Sequence, residues 1–406
     1  PYSAGHWSGD RDQKEFIARL DRKHVIFQTE IDKDSVDWRD AGYAKRIWDY
    51  SISRVTPSDR IKAQRKLCRD KGQPFGVKLE VNNCIECLNV PYLPVLENQR
   101  TKWEQGLDFR PDAVHSRWLF DGSCKSPSEE FGYWTLWGKG TEFADGDRVL
   151  NAIAERDFGE ASAKRVRKAW GLFSEGMRHH PDLDYYVGSY FIGPAQPLVL
   201  DPDPSANDLD DAFFGVFYWL WETSATDDDT MLVQKKALFY SRPGFHALAR
   251  RGTNKGHDVA LDELKVLADL WERGTRELDL TKKHVPSACR ARFRQEYVIS
   301  QHLAYTWRSA ANVEEFLRLR DTIRDFSKGH VDRSGHVREN LRDLGRMTEI
   351  AREELGIAQK DLKLIKGADY LDLELRLDMG TASTETMLKA KIAQVRKLLP
   401  EDLPAW

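Results

Sequence analysis

Short apolar runs that end in polar residues occur three times in the first 125 residues, and helix-like stretches separate them. The apolar runs lie at 24–29, 74–80 and 114–120, and apolar residues at helical spacing follow at 57–71 and 95–106. A strand, a polar tip and a helix in repetition are typical of βα units in a parallel sheet. The rhythm therefore predicts three parallel strands whose polar tips meet at one edge.

The remainder of the chain has a different pattern. Beyond about residue 141, apolar residues recur three and four apart, which indicates amphipathic helices that bury one face. The stretches with this spacing are 145–157, 161–179, 212–222, 261–278, 288–310, 313–326, 337–355 and 384–399. We therefore predict a mainly helical domain over 141–406.

The number of βα units bears on the architecture of residues 1–140. A closed barrel needs eight such units, and the chain begins at Pro1 rather than at a methionine. We expect a processed product or fragment whose earlier strands lie upstream; a smaller open α/β sheet is the alternative. The predicted fold class is α/β plus all-α, with the closing units of a (β/α)8 TIM-type barrel at 1–140 followed by the helical domain.

Composition excludes several classes of function. The net charge of −3 gives no basic excess for nucleic-acid binding. The most apolar run, 213–221, is too short to span a bilayer. Cys84 and Cys87 form a lone C-x-x-C with no second pair, whereas a structural zinc site takes about four ligands. We expect no metal and no cofactor; localisation and oligomeric state stay open.

The predicted strand ends carry the residues expected for chemistry. Glu30 follows the first strand, Asn82, Asn83 and Glu86 follow the second, and Asp121 follows the third. Glycoside hydrolysis uses two carboxyl groups, about 5–5.5 Å apart for retention or about 6.5–9.5 Å for inversion. We predict Glu86 and Glu30 as catalytic and the other three as substrate-binding. The alternative is that these residues are ordinary turn residues or solvated loop residues.

Aromatic side chains are the excess in the composition, with thirteen Trp and thirteen Tyr. Aromatic rings offer broad, rigid surfaces to the apolar faces of sugars. We predict stacking on Trp118, Tyr133, Trp134 and Trp137, which lie close together in sequence. The alternative is that these rings fill the core.

The same region carries a family resemblance. Residues 49–55 (DYSISRV) and 78–94 (KLEVNNCIECLNVPYLP) resemble a group of bacterial glycoside-hydrolase-like barrel proteins with a helical C-terminal region. In that group a strand ends in Asn-Asn-x-Trp-Glu, and a Val-Pro-Tyr-Leu-Pro turn follows. By this resemblance Glu86 matches the motif glutamate, and Asn82 and Asn83 match the asparagines. Ile85 stands where the group has Trp, and residues 120–123 (FDGS) replace a Gly-rich tip.

These patterns predict a glycoside hydrolase that acts on the O-glycosidic bonds of a saccharide. The departure at Ile85 favours an alternative, in which the chain is a non-catalytic scaffold derived from such a barrel. That scaffold would bind carbohydrate, or it would bind protein through its helices. The sugar, the linkage and the stereochemical outcome do not follow from these residues.

Overall fold

The structure is a computed structural model of the whole chain. It describes residues 13–39, 43–47, 51–82, 86–87, 89–116, 125–138, 145–181, 193–200, 246–247, 255–327, 337–372 and 383–405. The predicted helix at 212–222 lies outside the described residues.

The described strands are short. They are β1 (Phe27–Glu30), β2 (Ser35–Arg39), β3 (Tyr43–Ile47), β4 (Phe75–Lys78), β5 (Ala113–His115) and β6 (His246–Ala247). The described α-helices of six residues or more are α1 (Lys14–Arg19), α2 (Asp59–Lys71), α3 (Leu96–Asp108), α4 (Pro127–Trp137), α5 (Gly146–Phe158), α6 (Glu160–Met177), α7 (Lys255–Thr281), α8 (Arg290–Ser327), α9 (Val337–Leu364) and α10 (Thr384–Lys397).

Three strands form the predicted parallel sheet, in the order β1-β4-β5. Phe27 pairs with Phe75 at one end and Glu30 with Lys78 at the other, and His115 of β5 is the next partner of Lys78. The helix α2 connects β1 to β4 and α3 connects β4 to β5, which is the order of consecutive βα units. The predicted convergence of strand tips is therefore confirmed for β1 and β4.

The predicted barrel is wrong. Among the described residues only β1, β4 and β5 are parallel, and β2, β3 and β6 pair antiparallel in a separate sheet. Most of the described chain is helical. The parallel strands are only three or four residues long, so the sheet offers little apolar surface, and the long apolar stripes of the helices bury themselves mainly against one another.

The helical part of the core is built on aromatic side chains. The helices α6, α7 and α8 pack side by side. Phe173 of α6 stacks on Trp271 of α7 with ring centroids 4.7 Å apart, and Trp271 meets Trp307 of α8 edge-on at 5.8 Å. All three side chains are fully buried, so the apolar stripes predicted from spacing do face the core.

Two of the differences from the predicted helices concern α8 and α4. The stretches 288–310 and 313–326 belong to one helix, α8, because no glycine or proline interrupts the sequence between them. The helix α4 was not predicted, although Ser126 and Pro127 are a standard start signal. The Ser126 hydroxyl accepts a hydrogen bond from the Glu129 N–H at 3.0 Å, and Pro127 occupies the first helical position.

A single glycine joins α5 to α6. Gly159 has φ of 87°, a conformation that side chains rarely adopt. A Cβ at this position would lie 2.5 Å from Pro286 Cδ, which precedes α8. Glycine therefore permits both the sharp corner and the close approach of Pro286.

One hydrophobic cluster spans the predicted boundary at residue 140. It includes Ile17 and Trp103 on one side, and Trp170, Trp307 and Ile392 on the other. A second, smaller cluster lies between α8, α9, α10 and the residues that follow α10, and it includes Phe316 and Met347. The division into units at 1–140 and 141–406 stays a prediction.

Candidate active site at the strand ends

Five charged side chains meet where β1 and β4 end. Lys102 of α3 places its Nζ 3.0 Å from Asp32 Oδ2 and 3.5 Å from Glu80 Oε2. Lys78 Nζ lies 3.7 Å from Glu80 Oε1. The charge of Glu86 is among the charges that raise the pKa of Lys102. We call Asp32, Lys78, Glu80, Glu86 and Lys102 the strand-end cluster. All five are buried, and an ion pair is retained in such a place only when its geometry offsets the loss of hydration.

Electrostatics favour the charged forms of Glu80 and Lys102. Burial alone would raise the pKa of Glu80, but the ammonium groups of Lys102 and Lys78 outweigh it and hold that pKa below its usual range. Burial likewise opposes the charge of Lys102, but Asp32 and Glu80 raise its pKa above the ordinary lysine value. The cluster thus brings three carboxyl groups and two ammonium groups together in a buried place.

Glu86 is held by the segment that precedes α2. Its Oε1 accepts hydrogen bonds from the Ile52 N–H at 2.9 Å, the Ser51 hydroxyl at 3.0 Å and the Ser53 N–H at 3.3 Å. Lys102 Nζ donates to the Ser51 carbonyl at 2.7 Å, so the same segment is fixed from both sides. Three converging donors suit an ionised carboxylate, which is an acceptor only.

Glu30 lies next to the cluster on the sheet itself. Parallel pairing places Glu30, Lys78 and His115 side by side on adjacent strands, and residues in register project from the same face. Partial burial and the Lys78 ammonium group lower the pKa of His115. Of the two predicted catalytic residues, Glu86 is thus a member of the cluster, and Glu30 is the backbone pairing partner of another member, Lys78.

Asn82 connects the cluster to α4. It has φ of 53°, its side-chain oxygen accepts a hydrogen bond from the Ser126 hydroxyl, and its N–H donates to Ser128 Oγ at 3.1 Å. Asn82 is fully buried. Both of its described contacts are to the start of α4, so Asn82 positions that helix beside the strand ends.

Three predicted site residues lie outside the described residues, namely Asn83, Trp118 and Asp121, as does the departure at Ile85. The remaining predicted stacking residues, Tyr133, Trp134 and Trp137, are on α4 and are exposed. Their roles, and those of Glu30, Glu86 and Asn82, stay predictions.

Sequence reasoning missed four members of the strand-end cluster, namely Asp32, Lys78, Glu80 and Lys102. Asp32 and Glu80 each lie two residues beyond the end of a strand, and this common offset was a signal available in the sequence. Lys102 gave no signal, because a lysine within an amphipathic helix is expected to face water. Only the packing of α3 against β4 turns it inward, where Trp103 also donates its indole N–H to the Glu80 carbonyl at 3.1 Å.

Other buried polar groups join the helices. His302 Nδ1 lies 2.9 Å from both Asp361 oxygens, and its Nε2 lies 2.5 Å from Asn89 Nδ2. In the same way, Lys391 of α10 pairs with Glu354 of α9. These groups link α8, α9 and α10 to one another and to the loop before α3. They are fully enclosed, so we interpret them as structural.

The part of the chain that the structure describes contains neither a cluster suited to a metal ion nor a helix suited to a membrane. No three His, Cys, Asp or Glu side chains there are placed to hold a metal ion. Likewise, none of the helices described is long and apolar enough to cross a membrane.

No protein-family model and no curated protein matches the sequence. Among solved structures, the chain is similar to a GH138 enzyme targeting pectin rhamnogalacturonan II, with 11% identity and a TM-score of 0.46. The match covers 94% of this chain and 53% of that chain, so this chain spans about half the length of that enzyme. A score of this size does not establish a shared fold or activity, and the assignment of a function depends on the contacts within this chain.

Proposed function

We propose that the chain hydrolyses O-glycosidic bonds and that the strand-end cluster forms the floor of its reaction centre. The observation that carries this proposal is a buried cluster of three carboxyl groups and two ammonium groups at the carboxyl ends of β1 and β4. Ligand sites of parallel sheets lie at these ends. Glycoside cleavage develops an oxocarbenium-like positive charge, which a fixed negative site of low dielectric stabilises.

The two carboxyl groups take different roles. Glu86 already accepts three hydrogen bonds through Oε1, which favours an ionised group that stabilises or attacks the anomeric carbon. Glu30 supplies the second carboxyl group, which protonates the departing oxygen before water completes the hydrolysis. Asp32, Glu80 and Lys102 hold the geometry beneath them.

Glutamine substitution tests this assignment, because it keeps the shape of the side chain and removes the charge. We expect Glu86→Gln and Glu30→Gln each to lower kcat/KM by at least about 100-fold. The measurement is release of reducing sugar and of 4-nitrophenol from a panel of oligosaccharides and aryl glycosides. Glu385→Gln, at an exposed position of α10, is the matched control and should leave the rate unchanged.

Two results would contradict the proposal. One is hydrolysis by Glu86→Gln at the wild-type rate while circular dichroism shows both proteins folded. The other is a wild-type protein that hydrolyses none of the panel.

A second candidate is saccharide binding without hydrolysis. It is favoured by the small exposed fractions of Glu30 and Glu86, 6% and 7%, which leave little of either carboxyl group open to a substrate. Under this alternative the wild-type protein binds a saccharide in calorimetry and releases no product from it.

A further inference from the structure

An exposed group of aromatic rings lies on the outer face of α4. Tyr133, Trp134 and Trp137 are 40%, 41% and 83% exposed. Their spacing of one, three and four residues brings all three to one side of the helix. The opposite side is buried, where Phe131 and Gly132 pack towards Trp103. We call Tyr133, Trp134 and Trp137 the ring face.

Hydrogen bonds hold Trp134 of the ring face in place. The Trp134 indole N–H donates to Glu130 Oε1 at 3.0 Å, and Arg156 of α5 grips both oxygens of the same carboxylate. Burial would raise the pKa of Glu130, but the hydrogen bonds from Arg156 and Trp134 keep it below its usual range. These hydrogen bonds fix the orientation of the Trp134 ring, and a ring that is fixed in advance loses less conformational entropy when it binds a ligand.

The size of the ring face decides between kinds of ligand. Aromatic side chains present roughly 150–250 Å² each, so the three exposed fractions leave on the order of 300–400 Å² open. A standard protein interface takes about 800 Å² from each partner. The patch is therefore small for a folded partner and fits two or three sugar rings.

The charged groups beside the ring face narrow the class of sugar that it can bind. The Arg156 guanidinium is occupied by Glu130 and Asp157, so it is not free to bind a carboxylate on a sugar. What the ring face offers is aromatic surface rimmed by polar groups, which suits the hydroxyl groups and C–H faces of a neutral sugar.

We infer that the ring face binds a neutral polysaccharide chain and that the substrate of this protein is a polymer. The contact of Ser128 with Asn82 fixes the start of α4 at the strand ends, and Trp137 lies about 14 Å further along the helix axis. If the chain acts on saccharides as proposed, the ring face holds a polymer away from the point of cleavage.

Affinity electrophoresis of the full chain tests this inference. The native gels contain xyloglucan, galactomannan or hydroxyethylcellulose as neutral probes, and polygalacturonate as an acidic probe. We expect at least one neutral polymer to retard the wild type, and Trp134→Ala/Trp137→Ala to weaken that association by about tenfold, which corresponds to about 1.4 kcal/mol. Trp137→Phe keeps a ring and should retain most of the binding.

Leu341→Ala is the matched control, because Leu341 is a 63% exposed apolar side chain on another helix, α9, and it should not change retardation. The inference fails if no neutral polymer retards the wild type, if the double variant is retarded equally, or if only polygalacturonate binds. It also fails if light scattering shows a dimer that the double variant loses. Assays of the wild type and of Glu86→Gln distinguish failure of this inference from failure of the proposed function. If a neutral polymer retards both proteins and neither hydrolyses any substrate, the proposed glycosidase activity is rejected and the inferred binding at the ring face stands.

Discussion

Lys102 is the residue on which the strand-end cluster depends. Its ammonium group is the common partner of Asp32, Glu80 and the Ser51 carbonyl. Removing one partner of a buried ion pair leaves the other charge without compensation, which costs far more than the net stabilisation from the intact pair.

We predict that Lys102→Met lowers the free energy of unfolding by about 3–5 kcal/mol at pH 7. Lys62→Met, at an exposed position of α2, should change it by less than about 0.5 kcal/mol. Urea denaturation followed by circular dichroism measures both. A loss for Lys102→Met no larger than that of the control would show that the cluster is solvated.

The deficit of Lys102→Met should also depend on pH. The lowered pKa of Glu80 means that its charged form stabilises the fold above the ordinary value of 4.5, and that this contribution is lost as the pH falls through the lowered pKa. Without Lys102 the contribution is absent, so the difference between variant and wild type should shrink as the pH falls below 4.5, over a titration from pH 5 to pH 3. A constant difference over that range would contradict the electrostatic explanation.

At the scale of elements, we predict opposite changes in stability when either of two helical glycines is replaced by alanine. A Cβ at Gly132 of α4 would lie 2.6 Å from Val81 Cγ1 and 2.8 Å from Trp103 Cζ2. Gly132→Ala should therefore destabilise the protein by about 1–3 kcal/mol through overpacking. A Cβ at Gly171 of α6 meets nothing within 4 Å, so Gly171→Ala should stabilise it by about 0.5–1 kcal/mol.

Thermal unfolding of both variants checks this pair. Equal shifts of Tm in the same direction would mean that α4 does not pack against α3 as described. The comparison is well matched, because both positions are inside α-helices and both changes add one methyl group.

The sequence predicted elements better than their assembly. Parallel β1 and β4, the helix predicted at 145–157 and the apolar stripes of α6 and α7 follow from local patterns. The barrel did not, because three βα units are compatible with any parallel sheet and only long-range packing decides the closure. In the site, strand ends indicated Glu30 and Glu86, but Lys102 depends on how α3 is turned, which no local pattern encodes.

At the scale of the whole molecule, one hydrophobic cluster joins the sheet to the helices. Trp103 lies on the side of the cluster next to the sheet, and Trp170, Trp271 and Trp307 lie on the helical side. All four side chains are buried. A shared core couples the two sides, since neither can unfold without exposing apolar surface of the other.

We therefore predict a single unfolding transition for the full chain. Tryptophan fluorescence and far-UV circular dichroism should give the same midpoint and the same denaturant dependence. Two separated transitions would instead support independent units on either side of residue 140.

The corner between α5 and α6 has a consequence for finding relatives. Any side chain at position 159 would collide with the ring of Pro286, so a change at one position demands a change at the other. Distant homologues should therefore keep glycine and proline together or replace them jointly. This covarying pair offers a criterion for recognising such sequences when no short motif is preserved.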